Sequence, residues 1–190
     1  MIKVFCLKCD KKYDRKFVTR LKDSVNKHLT KKHEFFCVTD KPEEKWDIPL
    51  IRKFPDVWNK LQFLNFIGDS LYFDLDIDIH DNIDFLAEDF LNFTVIDSRK
   101  WKDNKEDLKF KITSNTFVNT SIMRWSLSQD IYQKFANNHD TFIRLYKGID
   151  RFIYNENISY KYFKTDKIVS WQDKNYIKKA ITLYNGRYKN

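Results

Sequence analysis

The sequence predicts a single-domain α/β fold from three observations. It opens with a β-α-β pattern. Apolar strand-like runs then alternate with amphipathic helical stretches. The two residues that most often break such elements are scarce, with 3 Gly and 3 Pro in 190 residues. Ile2 to Leu7 is apolar and β-branched, the pattern of a buried strand. Asp14 is placed to cap a helix. Phe17, Leu21, Val25 and Leu29 then recur at helical spacing, with Val18 beside them and basic residues between, and this helix ends near His28 to Thr30. Phe35 to Thr39 reads as a second buried strand. Two strands joined this way are expected to pair in parallel through a crossover.

All three prolines, Pro42, Pro49 and Pro55, lie in one stretch, which reads as a surface connector. Val57 to Ile67 has helical spacing. Gly68-Asp69-Ser70 reads as a turn, Leu71 to Ile79 as one strand and Phe90 to Ile96 as another. Residues 98–111 are charged and poor in apolar side chains, the composition of a surface loop. Phe117 to Trp125 is expected as a strand, Asp130 to Phe135 and Thr141 to Tyr146 as helices. Ile181 to Tyr184 is expected as a short strand, followed by a turn at Asn185-Gly186. No internal repeat or second domain is visible, so residues 1–190 read as one domain.

Composition narrows the function classes. The chain carries 35 Lys+Arg, 27 Asp+Glu and 17% aromatic residues, enough large side chains for a real core. It contains neither G-x-G-x-x-G nor a G-x-x-x-x-G-K-[ST] phosphate loop. No apolar run reaches the ~18 residues that span a bilayer, and the first residues are too short for a secretory h-region. Cys6, Cys9 and Cys37 read as reduced, buried thiols, which points to the cytoplasm. The net charge of +8 is unevenly spread. Residues 1–32 and 160–190 are strongly basic, and the centre is acidic. From Asp69 to Asp89 there are eight carboxylates and no Lys or Arg. Such a block is out of place in a non-specific polyanion binder. The basic ends leave contact with an anionic membrane surface open, beside the plainer reading of a solvated Lys-rich surface.

Cys6-x2-Cys9 with His28-x4-His33 looks like a zinc site. The 18 residues between Cys9 and His28 exceed the ~12 of the usual finger, and two core thiols with two surface histidines is the better reading.

The central feature is Asp74, Asp76 and Asp78 alternating with Phe73, Leu75, Ile77 and Ile79. On a continuous strand the carboxylates would share one face. Neighbouring carboxylates repel, and a hard divalent cation relieves that conflict. A face kept acidic for solubility and an acid–base carboxylate pair are alternatives. A calcium loop fails, since Ile79 stands where Gly is required and Phe85 where the twelfth-position Glu is required. The metal reading is favoured because the aspartates follow an apolar strand in an α/β chain, where ligands gather at carboxyl ends of strands.

Asp74-Leu75-Asp76 resembles the D-x-D motif of nucleotide-sugar glycosyltransferases of the GT-A fold, and in particular those related to glycosyltransferase family 8. Five further segments occur in the family's order. Ile2 to Leu7, Tyr13 and Phe17 to Leu21 resemble its first strand and helix, and Phe36 to Asp40 its second strand. Trp58-Asn59-Lys60-Leu61 resembles its W-x-K-L helix start. Val118 to Trp125 resembles its N-S-S-V-M-x-W strand, and Leu183 to Lys189 its closing F-x-G-x-x-K segment.

The resemblance implies a GT-A, Rossmann-like fold with a mixed central sheet flanked by helices. It implies transfer of a sugar from a nucleotide-diphosphate donor, UDP-linked, to a glycan or glycolipid-type acceptor, with retention suggested by family 8. Asp74 and Asp76 would hold Mn²⁺ or Mg²⁺, with Asn185 as a further oxygen. Tyr13, Thr39, Asp40, Lys60, Leu75, Arg187 and Lys189 would bind the donor. Asn119 and Ser121 would line the sugar or acceptor pocket, and Asp150 would stand near the reacting sugar as the catalytic carboxylate.

Two positions depart from the pattern. Leu183 stands where relatives often have a metal-binding His, and Gly148-Ile149-Asp150-Arg151 stands for G-D-Q-D. These departures keep a non-catalytic nucleotide- or glycan-binding protein of the same fold as an alternative. A nucleic-acid-binding module using the basic ends is the rival from another class. Each residue also has a plain structural alternative: a solvated helix lysine for Lys60, backbone satisfaction for Asn119, a helix cap for Asp150.

Overall fold

The computed structural model describes residues 1–9, 13–101 and 116–184. Strand β1 (Ile2–Lys8), helix α1 (Arg15–His28) and strand β2 (His33–Thr39) form the expected unit. β1 and β2 are parallel over their whole length, from Ile2 opposite His33 to Lys8 opposite Thr39. Asp14 takes the N-cap position of α1 without a side-chain cap bond. Its backbone carbonyl accepts from the Phe17 N–H instead.

The proline stretch contains a short strand, β3 (Asp47–Pro49), parallel to β2. The next helix is a 3₁₀ helix over Asp56–Asn65, not the α-helix that Val57 to Ile67 suggests. Runs of 3₁₀ this long are uncommon. Trp58 to Leu64 are all buried, so the element is enclosed rather than one-faced. Its buried amides sew it to the connector. Asn59 accepts from the Phe54 N–H at 2.8 Å and donates to the Phe54 and Asp56 carbonyls, and Gln62 accepts from the Arg52 N–H.

The single strand expected over Leu71 to Ile79 is two. β4 (Ser70–Phe73) pairs with β1, and β5 (Ile77–Ile79) belongs to another sheet. The chain turns at Leu75 and Asp76. Phe73, Leu75, Ile77 and Ile79 nevertheless enter one core, so their alternation survives while the carboxylates diverge. β6 is Thr94–Asp97, starting later than Phe90, and β7 is Val118–Trp125. Helices α2 (Gln129–Asn137), α3 (His139–Leu145) and α4 (Ile149–Asn155) follow, then β8 (Lys161–Tyr162), β9 (Ile168–Ser170) and β10 (Ile181–Leu183). Most of the expected surface loop 98–111, and the turn at Asn185-Gly186, lie outside the described residues.

The main sheet runs β3-β2-β1-β4-β7-β6-β8 and a small one runs β5-β10-β9. The main sheet is mixed, because β7 is antiparallel to both β4 and β6. One face packs on α1 through Val4, Cys6, Leu21, Val25 and Phe73. The other packs on the 3₁₀ helix and α2 to α4 through Phe5, Leu61, Phe135 and Phe152. Trp58 belongs to that second core, stacked on Phe135 with ring centroids 5.2 Å apart. Cys6 and Cys37 are buried as expected, and Cys9 is only half-buried. Among the described residues no three His, Cys, Asp or Glu converge as metal ligands, and no helix is long and apolar enough to cross a membrane.

Candidate functional site

β1 has β2 on one side and β4 on the other, and the chain departs in opposite directions from it. In open α/β sheets such a divergence leaves a crevice at the carboxyl ends of the strands. Tyr13 follows β1, Thr39 ends β2 with Asp40 next, and Asp74 and Asp76 follow β4. β7 runs the other way, so its first residues reach the same edge: Phe73 lies opposite Ile122, and the Asp74 N–H donates to the Ser121 carbonyl at 2.8 Å.

Asp74 is tightly held. Lys60 Nζ lies 2.6 Å from Oδ1 and 2.8 Å from Oδ2, and the Tyr72 hydroxyl donates to Oδ1 at 2.6 Å. Lys60 is 9% exposed, so it is a buried cation paired across the crevice rather than a solvated helix lysine. Burial, and then the Asp74 charge, push the Tyr72 phenol well up. Asp76 is buried, and the Tyr13 hydroxyl hydrogen-bonds its carboxylate. Burial first, then Asp76 and Asp74, raise the Tyr13 phenol far above its ordinary value.

Arg20 of α1 fixes the turn between these aspartates, a role the sequence reading missed. It donates to the Leu75 carbonyl at 3.2 Å and the Ile77 carbonyl at 3.4 Å, and pairs with Asp78 at 3.2 Å. Asp78 is thereby spent on α1, which corrects the expected shared face of three carboxylates. The signal for Arg20 was its basic character beside an acidic strand, and nothing in the spacing singled it out.

Asn119 Oδ1 accepts from the Ser121 N–H at 3.0 Å, satisfying backbone as the structural alternative held. Asp150 lies in the first turn of α4, and its Oδ1 accepts from both the N–H and the hydroxyl of Thr120, at 3.1 and 2.7 Å. It ties α4 to β7 between Asn119 and Ser121. Thr39 is fully buried, and its hydroxyl accepts from the Lys41 N–H. Asp40 pairs with Lys53 at 3.7 Å. Leu75 packs its side chain into the core. Asn185, Arg187 and Lys189 lie outside the described residues.

Tyr13, Lys60, Asp74, Asp76, Ser121 and, through Thr120, Asp150 are therefore brought to one edge. The donor set at its centre is the carboxylates of Asp74 and Asp76, two residues apart. That set suits a hard cation that takes its remaining oxygens from phosphate and water. It does not suit zinc.

No protein-family model matches the sequence, and no curated protein matches it. Solved structures do match in fold. The galactosyltransferase LgtC, in complex with donor and acceptor sugar analogues, superposes with a TM-score of 0.65 at 14% identity, covering 97% of this chain and 87% of that one. The glycosyltransferase GlyE of Streptococcus pneumoniae TIGR4 gives a TM-score of 0.59 at 15% identity, covering 87% of this chain and 45% of GlyE. Its apo form gives 0.60 at 14%, covering 85% and 44%. The chain thus has the GT-A fold of these glycosyltransferases and spans just under half the length of GlyE.

Proposed function

We propose that the chain is a metal-dependent glycosyltransferase. It moves a sugar from a nucleoside-diphosphate donor, UDP-linked, to a glycan or glycolipid-type acceptor. The observation that carries the reading is Asp74 and Asp76 on a fixed turn at the divergence point of a GT-A sheet, with Lys60 against Asp74. A Gly-poor chain handles phosphate charge by carboxylate-held metal and lysine rather than by a Gly-rich loop.

Asp74 and Asp76, with Asn185 from the tail, would hold Mn²⁺ or Mg²⁺. The ion would supply charge neutralisation of the diphosphate leaving group. Lys60 adds a point charge on the same side. Tyr13, beside Asp76, walls the nucleoside side of the crevice, with Thr39 and Asp40 at the end of β2. Leu75 spaces the two aspartates. Asn119 and Ser121 border the sugar. The Asp150 carboxylate, oriented by Thr120, faces the positive charge that develops at the transferring carbon. By the family resemblance, Arg187 and Lys189 would bind the donor phosphates. Retention of configuration rests on the family 8 resemblance.

A screen of nucleotide sugars for metal-dependent release of nucleotide tests the reading. One donor hydrolysed with Mn²⁺, and spared with a chelator, supports it. Binding without release favours the non-catalytic alternative. Salt-sensitive binding to DNA or RNA without metal favours the nucleic-acid module.

A further inference from the structure

Arg124, near the far end of β7, is a buried cation. It is 7% exposed, and among the described residues it makes no ion pair. One Nη donates to the Leu86 carbonyl at 3.2 Å and the other to the Thr94 hydroxyl at 3.1 Å, while Nε is buried with no hydrogen-bond partner among the described residues. The guanidinium carbon lies 5.1 Å from the Phe163 ring centroid and 5.9 Å from that of Phe90. Arginine offers five N–H donors and is seldom buried unpaired. Burial lowers its pKa, with Asp89 and Glu88 acting the other way.

Arg124 forms part of the wall of a cavity of about 560 Å³. Lys161, Lys164 and Phe163 line the same cavity, as do Glu88 and Asp89. Both lysines are exposed at the surface. Of the two acids, Asp89 is already committed to the Leu91 N–H and the Asn92 amide. Among the described lining residues three cations therefore face two carboxylates, and the innermost charge is the guanidinium.

We propose that this cavity binds a small organic anion, whose carboxylate or phosphate group enters past Lys161 and Lys164 and ends on the Arg124 guanidinium. Arg124 can form a two-point contact with either oxyanion, and the Phe163 ring packs against the ligand's apolar body. The site is separate from the crevice at Asp74. Arg124 lies opposite Leu71 at the start of β4, whereas the crevice lies beyond Phe73 at its end. This inference stands independently of the glycosyltransferase reading.

The test titrates the whole protein with inorganic phosphate in one arm and citrate in the other, at constant ionic strength against chloride. The arginine Nε–H resonances are followed by NMR. The expected result is saturable millimolar binding of at least one anion that moves the Arg124 signal. Binding should weaken at least tenfold in Arg124→Met and at least threefold in the surface double variant Lys161→Ala/Lys164→Ala. Lys60→Met, in the crevice, should leave it unchanged. If Arg124→Met does not fold, the resonance shift and the lysine variant decide. An Arg124 signal unmoved by both anions, or affinity unchanged by loss of both lysines, would overturn the proposal.

Discussion

The ammonium of Lys60 lies within 2.8 Å of both carboxylate oxygens of Asp74, joining the buried 3₁₀ helix to the end of β4. Lys60→Met removes the cation while Asp74 stays part-buried with only the Tyr72 hydroxyl of that pair of partners. The expected cost is about 1–3 kcal/mol, read as a lower midpoint in urea unfolding. Donor affinity should fall with it. Lys60→Arg should recover part of the stability.

Arg20 holds the turn that separates Asp74 from Asp76. Arg20→Lys keeps a charge but has one nitrogen where Arg20 uses two, Nη1 for Asp78 and Nη2 for the Leu75 and Ile77 carbonyls. It is expected to preserve the fold and weaken binding of UDP with Mn²⁺ by roughly tenfold, about 1.4 kcal/mol, in isothermal titration. Equal affinity in the variant would show that the turn is held without Arg20.

Much of this arrangement was legible in the sequence, and its failures have physical causes. β1, α1 and β2 were readable because Val18, Leu21 and Val25 bury one helix face against Val4, Cys6 and Cys37. The break at Leu75 was hidden because the apolar alternation continues unbroken from Phe73 to Ile79 and no Gly or Pro marks the turn. The helix at Asp56–Asn65 was readable as a helix, but its 3₁₀ form was not, because apolar residues three and four apart mark a helix without giving its type. α4 had a signal in Ile149, Phe152 and Ile153, which are all buried. β8, β9 and β3 are two or three residues long, too short for any period to register. In the candidate site, Lys60, Asp74, Asp76 and Asp150 were named from motifs. Thr120, which bonds Asp150, and Arg20, which holds the turn at Leu75, were not, because hydrogen bonds between distant elements leave no local pattern.

Asp150→Asn should separate fold from chemistry. The Asn side-chain oxygen can still accept from the Thr120 N–H and hydroxyl. Stability is expected to change by less than about 1 kcal/mol. Donor turnover should fall by about 10²-fold or more. Turnover near that of the parent would remove Asp150 from the catalytic role.

Acid should destabilise the protein partly through Asp47. Burial alone would raise this carboxyl, but Arg15 at 2.7 Å and the Glu43 and Glu44 N–H groups outweigh it and hold it low. Glu156 behaves alike, with burial outweighed by the Tyr146 hydroxyl and Lys134. A carboxyl lowered by folding contributes its full stability above its unfolded value of about 4, and loses it as pH falls through the folded value. Unfolding free energy is therefore expected to decline below about pH 4. In Arg15→Met that decline should be shallower, as measured by denaturant melts across pH 2–6.

The most direct test of the central claim is the melting temperature with UDP and Mn²⁺ together and apart. At about 100 times the dissociation constant the pair should add about 2.7 kcal/mol, a rise of roughly 5–10 °C for a chain of this size. Each alone should give much less, and Asp76→Asn should abolish the joint rise. No shift with any nucleoside diphosphate, with or without metal, would contradict the account.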